Sequence, residues 1–584
     1  MPPKRTLSPS PGLTKKLKLT DNFEEYYRPD PRYYPNPITW KQANVFNTGK
    51  RPKPIDLLNQ GIEKSQKVDS KVGIDTVVHW FRSDLRISDN VGLFHAVKKL
   101  QEQQKKSSGH DAPRLVALYT INEHDFRAHL DSGWKLQFAL DAVNSLKNEL
   151  RKLNVALVVR VFETKDPLLS RSLQYAKWFK DQCVGLARNA NDAVFVTANA
   201  QYETDELYRD VKILGLNDSQ FHFQVHHDQC TVIPGALTSG KGTQYTVFTP
   251  WYKKWVEYLK THQKSGKDAV ATFSFDTSKP INVDLEELES YDYTLSDEFL
   301  SYLPNQPLDV PEATEKQAHE VLRQFFHTKK AHEYNEKKDF VALSSTSRLS
   351  CYITSGVIST RAVVNYCYHE NGNSLMRKDI KQNNSVENFA KEVAWRDFYK
   401  HIMCNWPYIS MDLAFKFETM DIKWENDTEK FHKWCSGETG LPIVDAIMRK
   451  LLHTGYISNR CRMITASFLS KNLLVDWRWG ERWFRKHLID ADLASNSGGW
   501  GFSSSTGVDC QPYFRIFNMK LQSEKYDPKG VFIKEWIPEL KDVDNLKILR
   551  EGISNAQMAN GYSQPIVDLK ESRERALEAF REAM

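Results

Sequence analysis

Five short runs of β-branched and apolar residues, at 75–81, 114–119, 155–159, 193–197 and 221–225, stand between positions 74 and 228, each separated from the next by a stretch of helical periodicity. Parallel strands need a long crossover, usually a helix, so this alternation predicts a parallel doubly wound sheet of the Rossmann-like kind. No G-x-G-x-x-G follows the first run, so the usual dinucleotide fingerprint is missing. Further along, segments 441–452 and 462–474 carry apolar residues at i, i+3, i+4 and i+7, and strand alternation is no longer seen. The expected organisation is therefore α/β plus all-α: a leader at 1–70, an α/β domain at 71–228, a connector at 229–314 and a helical domain at 315–584.

Ten of the 24 prolines lie in the first 54 residues, so the leader is expected to be largely irregular. It also holds 13 Lys/Arg against 7 Asp/Glu, which is the whole net charge of +6. The neutral body has no global positive field, and any nucleic-acid binding must come from a local basic patch. Lys4-Arg5 and Lys15-Lys16-Leu17-Lys18 have the layout of a two-part nuclear import signal, for which a merely solubilising tail is the alternative. The aromatic stretch from Phe23 to Trp40 is too apolar for an idle linker and should pack in part on the body. Eight scattered cysteines without C-x-x-C or Cys/His spacing argue against a disulfide framework or a structural metal site. No run is long and apolar enough for a membrane span, so a soluble protein of a reducing compartment is expected.

Nine of the 15 tryptophans fall between 395 and 536. Core packing accounts for most such residues, but their neighbours are unusual: Glu392-Val-Ala-Trp395-Arg396, Asn459-Arg-Cys-Arg-Met463 and Asp490-Ala-Asp492-Leu-Ala-Ser-Asn496-Ser-Gly-Gly-Trp500. From Trp80-Phe-Arg-Ser-Asp-Leu-Arg-Ile-Ser-Asp-Asn90 to the segment Tyr562 to Lys570, the body resembles a class I cyclobutane pyrimidine dimer photolyase of the cryptochrome/photolyase family, most like the fungal enzymes. The long motifs Thr439-Gly-Leu-Pro-Ile-Val-Asp-Ala446 and Pro512-Tyr-Phe-Arg-Ile-Phe-Asn518 carry the same resemblance.

The resemblance implies FAD folded into a U in the helical domain. The matching positions are Tyr334, Thr346, Ser347, Arg348, Leu349, Ser350, Arg396, Arg462, Asp490, Ala491, Asp492 and Asn496. Hydroxyls, backbone N–H groups and a guanidinium suit a pyrophosphate. Read alone, Thr346 and Ser347 are an ordinary helix cap, and Arg462 with Asp490 is a structural ion pair. Asn496 matches the amide facing flavin N5.

At the mouth of the cavity, Glu392, Trp395, Asn459 and Met463 match the groups that receive a flipped-out dimer. Trp395 supplies a stacking plane, and Glu392 a carboxyl for a thymine carbonyl. Lys338, Arg460, Arg515 and Gln522 are expected on the flanking DNA backbone. Phe502 and Tyr456 depart from tryptophans seen in some relatives. Trp500, Trp477 and Trp424, in that order outward, match the tryptophans that refill a photoexcited oxidised flavin.

The activity implied is light-driven repair of pyrimidine dimers by electron transfer from reduced FAD. A cryptochrome photoreceptor and a (6-4) photolyase are the alternatives, the latter placing a catalytic His where Asn459 stands. A second, light-collecting chromophore is expected near Asp205 and Glu206, methenyltetrahydrofolate ahead of a deazaflavin. The expected partners are dimer-containing DNA and an import receptor. The protein is expected to be a monomer, its address the nucleus, with the mitochondrion as a second location.

Overall fold

The computed structural model of the protein describes residues 23–27, 36–66, 73–106, 112–162, 173–189, 192–262, 268–285, 288, 293–304, 310, 312–376, 384–553 and 561–584. All five predicted strands form: β1 Ile74–Phe81, β2 Arg114–Ile121, β3 Ala156–Val161, β4 Ala193–Asn199 and β5 Phe221–His226. They make one parallel sheet of order β3-β2-β1-β4-β5. The chain runs outward from β1 to β3 and then returns to the other side of β1, so the order reverses between β1 and β4. A crevice opens at the carboxyl ends of strands at such a reversal. Residues Arg82 to Arg86 leave β1 there.

That loop also joins the two halves of the molecule. Arg86 donates to Gly356 O (3.0 Å) and to Asp228 Oδ2 (2.6 Å), and Arg361 donates to Asp228 Oδ1 (2.7 Å) and Asp89 Oδ2 (3.0 Å). Burial alone would raise the Asp228 carboxyl, but the two guanidiniums outweigh it and hold the group well below the ordinary carboxylate range. Gly356 sits at φ +68°, where an added Cβ would lie 2.1 Å from Ser83 O. Gly356→Ala should therefore combine a left-handed strain with a backbone overlap, costing about 2–5 kcal/mol. A lowered denaturation midpoint checks this, and an unchanged one contradicts it.

The predicted helical domain is present. The Ser385–Asn405 helix is capped by Asn384 and buries residues on every side, so it acts as the central rod. The expected 441–452 helix lies within Pro442–Thr454, which starts with Pro at its first position and stops at Gly455 in the left-handed region. The expected 462–474 helix departs from regularity: Asn459–Ser467 runs into a π-helical turn, Phe468–Asn472.

Between residues 36 and 66 the leader is more regular than expected. Trp40–Asn47 is a helix closed by a capping box between Thr39 and Gln42, and Pro54–Ser65 is a helix with its proline at the tolerated first position. The latter packs on β5 and on the Thr204–Leu214 helix. Phe23 and Tyr26 pack on the helical domain, as the aromatic content of this stretch implied. The basic clusters of residues 1–20 lie outside the described residues.

Candidate active site

Tyr334–Lys337, Ser385–Asn405, Asn459–Ser467 and Leu493–Ser504 are the helices that bring the predicted residues together, the first and the last two of them packing against Ser385–Asn405 or each other. Glu392 and Trp395, three apart on the central helix, project from one side. Trp395 lies face to face with Phe248, at 3.7 Å between ring centroids and 7° between planes, so one face of the indole is already covered. Glu392 Oε1 accepts from Lys338 Nζ at 2.7 Å, and that ammonium also stands 5.1 Å over the Tyr334 ring. Tyr334 is buried, and its phenol is pushed well up by burial first and then by the neighbouring acids Glu392 and Asp339. On the next helix, Asn459 Nδ2 reaches Met463 Sδ at 3.9 Å. Asn459 is exposed and Met463 half-buried.

A layer deeper, Arg462 Nη2 contacts both Asp490 oxygens at 2.8 Å, while its Nε donates to Ile457 O. Asp490 is buried and Arg462 partly open, so a fixed cation stands at the wall. The loop from Thr346 to Ser350 turns sharply at Arg348, φ +57°. Its Ser347 Oγ accepts from Leu349 N, Thr346 Oγ1 lies 3.4 Å from the Tyr456 hydroxyl, and Arg348 stands 5.0 Å over the Tyr456 ring. Asn496 donates through Nδ2 to Glu481 Oε1 (2.8 Å) and Glu481 O (2.9 Å). Glu481 is buried and its carboxyl is pushed up by burial, against Arg485 and Arg482. Hydroxyls, guanidiniums, a buried carboxylate and an oriented amide are together a donor set that fits a flavin dinucleotide.

Arg396, Ala491 and Asp492 lie where the helical domain meets the α/β domain. They line the crevice at the carboxyl ends of β1 and β4, with Arg82, Glu206 and Arg209 on its α/β side. Asp492 caps the Leu493–Ser504 helix and pairs with Lys400 at 2.9 Å. Burial opposes its ionisation, but Lys400 and Arg396 hold it well below the ordinary range. Asp205 accepts from His129 Nε2 at 2.9 Å, and with Glu203 these form a His/Asp/Glu group within reach of one another.

Of the expected DNA contacts, Arg460 pairs with Asp339 at 2.8 Å and lies 4.5 Å over Tyr526. Arg515 is exposed beside Phe514, also exposed, and Gln522 is half-buried on the Met519–Tyr526 helix. Phe502 is half-buried on the Leu493–Ser504 helix.

Trp500 is buried against Gly480, where a Cβ would come within 2.1 Å of its ring. Gly480 lies one turn along the Trp477–His487 helix from Trp477. The Trp424 ring lies 5.8 Å from that of Phe580, and the residues after it bond the segment before Trp477, Glu425 N to Leu474 O and Asp476 N to Asn426 Oδ1. Trp424 is half-buried.

Phe248, Glu481 and Asp339 escaped the sequence reading, since each acts through a partner distant in the chain and no motif marks it.

Residues 389–582 match the family model described as the FAD binding domain of DNA photolyase, and residues 77–269 the model described as DNA photolyase. The mitochondrial deoxyribodipyrimidine photo-lyase of Saccharomyces cerevisiae is 48% identical over 97% of each chain. The deoxyribodipyrimidine photo-lyase of Neurospora crassa is 35% identical over 95% of this chain and 89% of its own. Among solved structures, a bacterial class III photolyase from Agrobacterium tumefaciens aligns with TM-score 0.69 and 27% identity, over 88% of this chain and 99% of that one. The chain, with its parallel sheet, its helical FAD-binding domain and the motifs set on them, belongs to the DNA photolyase family.

Proposed function

We propose that the protein is a light-driven lyase of the class I type that splits cyclobutane pyrimidine dimers in DNA. One arrangement supports this reading: Glu392 and Trp395 project from one side of the central helix, Asn459 and Met463 share a helix with Arg462, and that helix packs on the one that carries Asn496. Held beside Arg462, Asp490 and Asn496 in its reduced form, FAD would supply the light absorption and the electron needed to open the cyclobutane ring. The chain's residues bind, orient and stabilise charge. The uncovered face of Trp395 stacks on the flipped pyrimidines, whose weakened pairing lowers the cost of extrusion. The Glu392 carboxyl, in its acid form, donates to a thymine carbonyl as negative charge grows there, once Lys338, 2.7 Å away, has turned to phosphate. Arg462 keeps positive charge beside the flavin, and Glu481 fixes the Asn496 amide. Lys338, Arg460, Arg515 and Gln522 clamp the flanking backbone; Lys338 and Arg460 exchange carboxylate partners for phosphate when DNA binds. Trp500, Trp477 and Trp424 return electrons to oxidised flavin.

The test is an oligonucleotide carrying one thymine dimer, incubated with protein holding reduced FAD, dark and illuminated. Restored thymines in the light alone support the reading, and an untouched dimer in the light opposes it.

The crevice between β1 and β4 suits a second chromophore. A carboxyl at Glu206 and a guanidinium at Arg209 fit methenyltetrahydrofolate, which offers ring N–H donors and a glutamate tail, better than a deazaflavin. The protein acts as a monomer, and residues 1–20 direct it to the nucleus through an import receptor, with the mitochondrion as a second location. Deleting residues 1–20 should abolish nuclear accumulation while leaving repair in the tube unchanged. Undiminished nuclear accumulation of the truncated protein would oppose the assignment.

A further inference from the structure

We propose that Tyr27, in the leader, is a redox-active residue that terminates a second electron route to the flavin, running from Trp500 through Trp434 and Trp479. This rests on the reading of Trp500 as the donor nearest the flavin. The Trp500 and Trp434 rings lie 6.1 Å apart between centroids. Phe431 follows at 5.8 Å from Trp434, and Trp479 at 5.3 Å from Phe431. Tyr27 then sits 4.5 Å from Trp479 and is only half-buried. Phe431 is too hard to oxidise to serve as a station, so it is the packed bridge between two indoles.

The hydrogen bonding along this path decides where an electron hole comes to rest. Trp500 Nε1 is buried without an acceptor, and Trp434 Nε1 meets only the Thr465 carbonyl, which is no base. An oxidised indole at either place keeps its proton and passes the hole on. Tyr27 is different. Its hydroxyl is hydrogen-bonded to His432 Nε2, and burial lowers the His432 pKa, so the imidazole is neutral and accepting near pH 7. The leader is held here by Tyr26, buried with its ring 5.1 Å from Trp483 and its carbonyl accepting from Arg482 at 2.9 Å.

The balance is one electron and one proton. Trp500 gives an electron to light-excited oxidised flavin, Trp434 refills Trp500, Trp479 refills Trp434, and Tyr27 refills Trp479. The Tyr27 O–H bond breaks as the electron leaves, and its proton goes to His432 Nε2. A neutral tyrosyl radical and an imidazolium remain. Because the return of the electron must then await the proton, charge recombination is slowed.

The test uses the full chain with oxidised FAD and ring-deuterated tyrosine, illuminated and freeze-trapped for electron paramagnetic resonance. A tyrosyl signal narrowed by deuteration should appear, persist in Trp424→Phe, and fall to background in Tyr27→Phe and Trp434→Phe. In His432→Gln, which keeps the phenol but removes the base, an indole radical should replace it. A tyrosyl signal undiminished in Tyr27→Phe, or indole radicals alone in the unsubstituted protein, would overturn the proposal while leaving Trp500 as donor. No radical at all in the unsubstituted protein would overturn both assignments. Unchanged circular dichroism of each variant separates loss of the radical from loss of the fold.

Discussion

Trp500→Phe should reduce light-driven reduction of oxidised FAD to background, while the same variant, reduced chemically beforehand, still repairs dimers. Trp500 heads both the Trp477–Trp424 path and the Trp434–Trp479 path, so its loss cannot be bypassed through either. Phenylalanine is far harder to oxidise, which removes the redox property; it does not reach Gly480 as the outer indole ring does, so stability should fall as well. Trp424→Phe closes only one path and should slow photoreduction without stopping it. Absorbance of the flavin under continuous illumination measures both. Photoreduction of Trp500→Phe at the unsubstituted rate would make Trp500 a core residue only.

The second large effect separates chemistry from recognition. Glu392→Ala should lower the repair yield per photon by roughly tenfold or more, because the lost hydrogen bond matters most when charge develops on the pyrimidine carbonyl. Lesion binding should be nearly spared, since the same substitution releases Lys338 from its 2.7 Å ion pair and leaves its charge for phosphate. Trp395→Ala should do the reverse, weakening lesion binding by about 1–3 kcal/mol, the range for one base–aromatic stack. Its Phe248 neighbour would lose its cover and fill part of the gap, so stability should fall as well. Titration of dimer-containing DNA and quantum-yield measurement on the two variants give the two quantities independently. Equal losses of binding and yield in both would contradict the division of labour.

The fold was legible wherever a local pattern encodes it. The β-branched runs announce all five strands, yet the order β3-β2-β1-β4-β5 is set by which crossovers pack on which face, and no run carries that information. The leader was misread because its prolines were counted as breakers. Pro54 occupies the one helical position where a missing N–H costs nothing, and Thr39 with Gln42 spells a capping box that the composition of the segment concealed. At the site, long motifs brought Glu392, Trp395, Asn459 and Asn496 to notice, but the partners that hold them lie far away in sequence. Lys338 is 54 positions from Glu392 and Glu481 is 15 from Asn496. Such pairs arise only from helix packing, which periodicity predicts in kind but not in register. Arg396 and Asp492 illustrate the converse, since adjacency to Trp395 and Asp490 in the chain does not prevent them from facing the crevice of the α/β domain.

The central claim concerns the lesion. In the proposed reading the pocket mouth offers a carboxyl, an amide, an indole plane and a thioether from Glu392, Asn459, Trp395 and Met463, and none of the four is an imidazole able to move the proton that a (6-4) product requires. The most direct measurement presents the same DNA sequence with a single cyclobutane dimer or a single (6-4) product to protein holding reduced FAD, under light, and follows both by chromatography. The account predicts restored pyrimidines from the dimer and an untouched (6-4) product; repair of the (6-4) product, or none of the dimer, would contradict it.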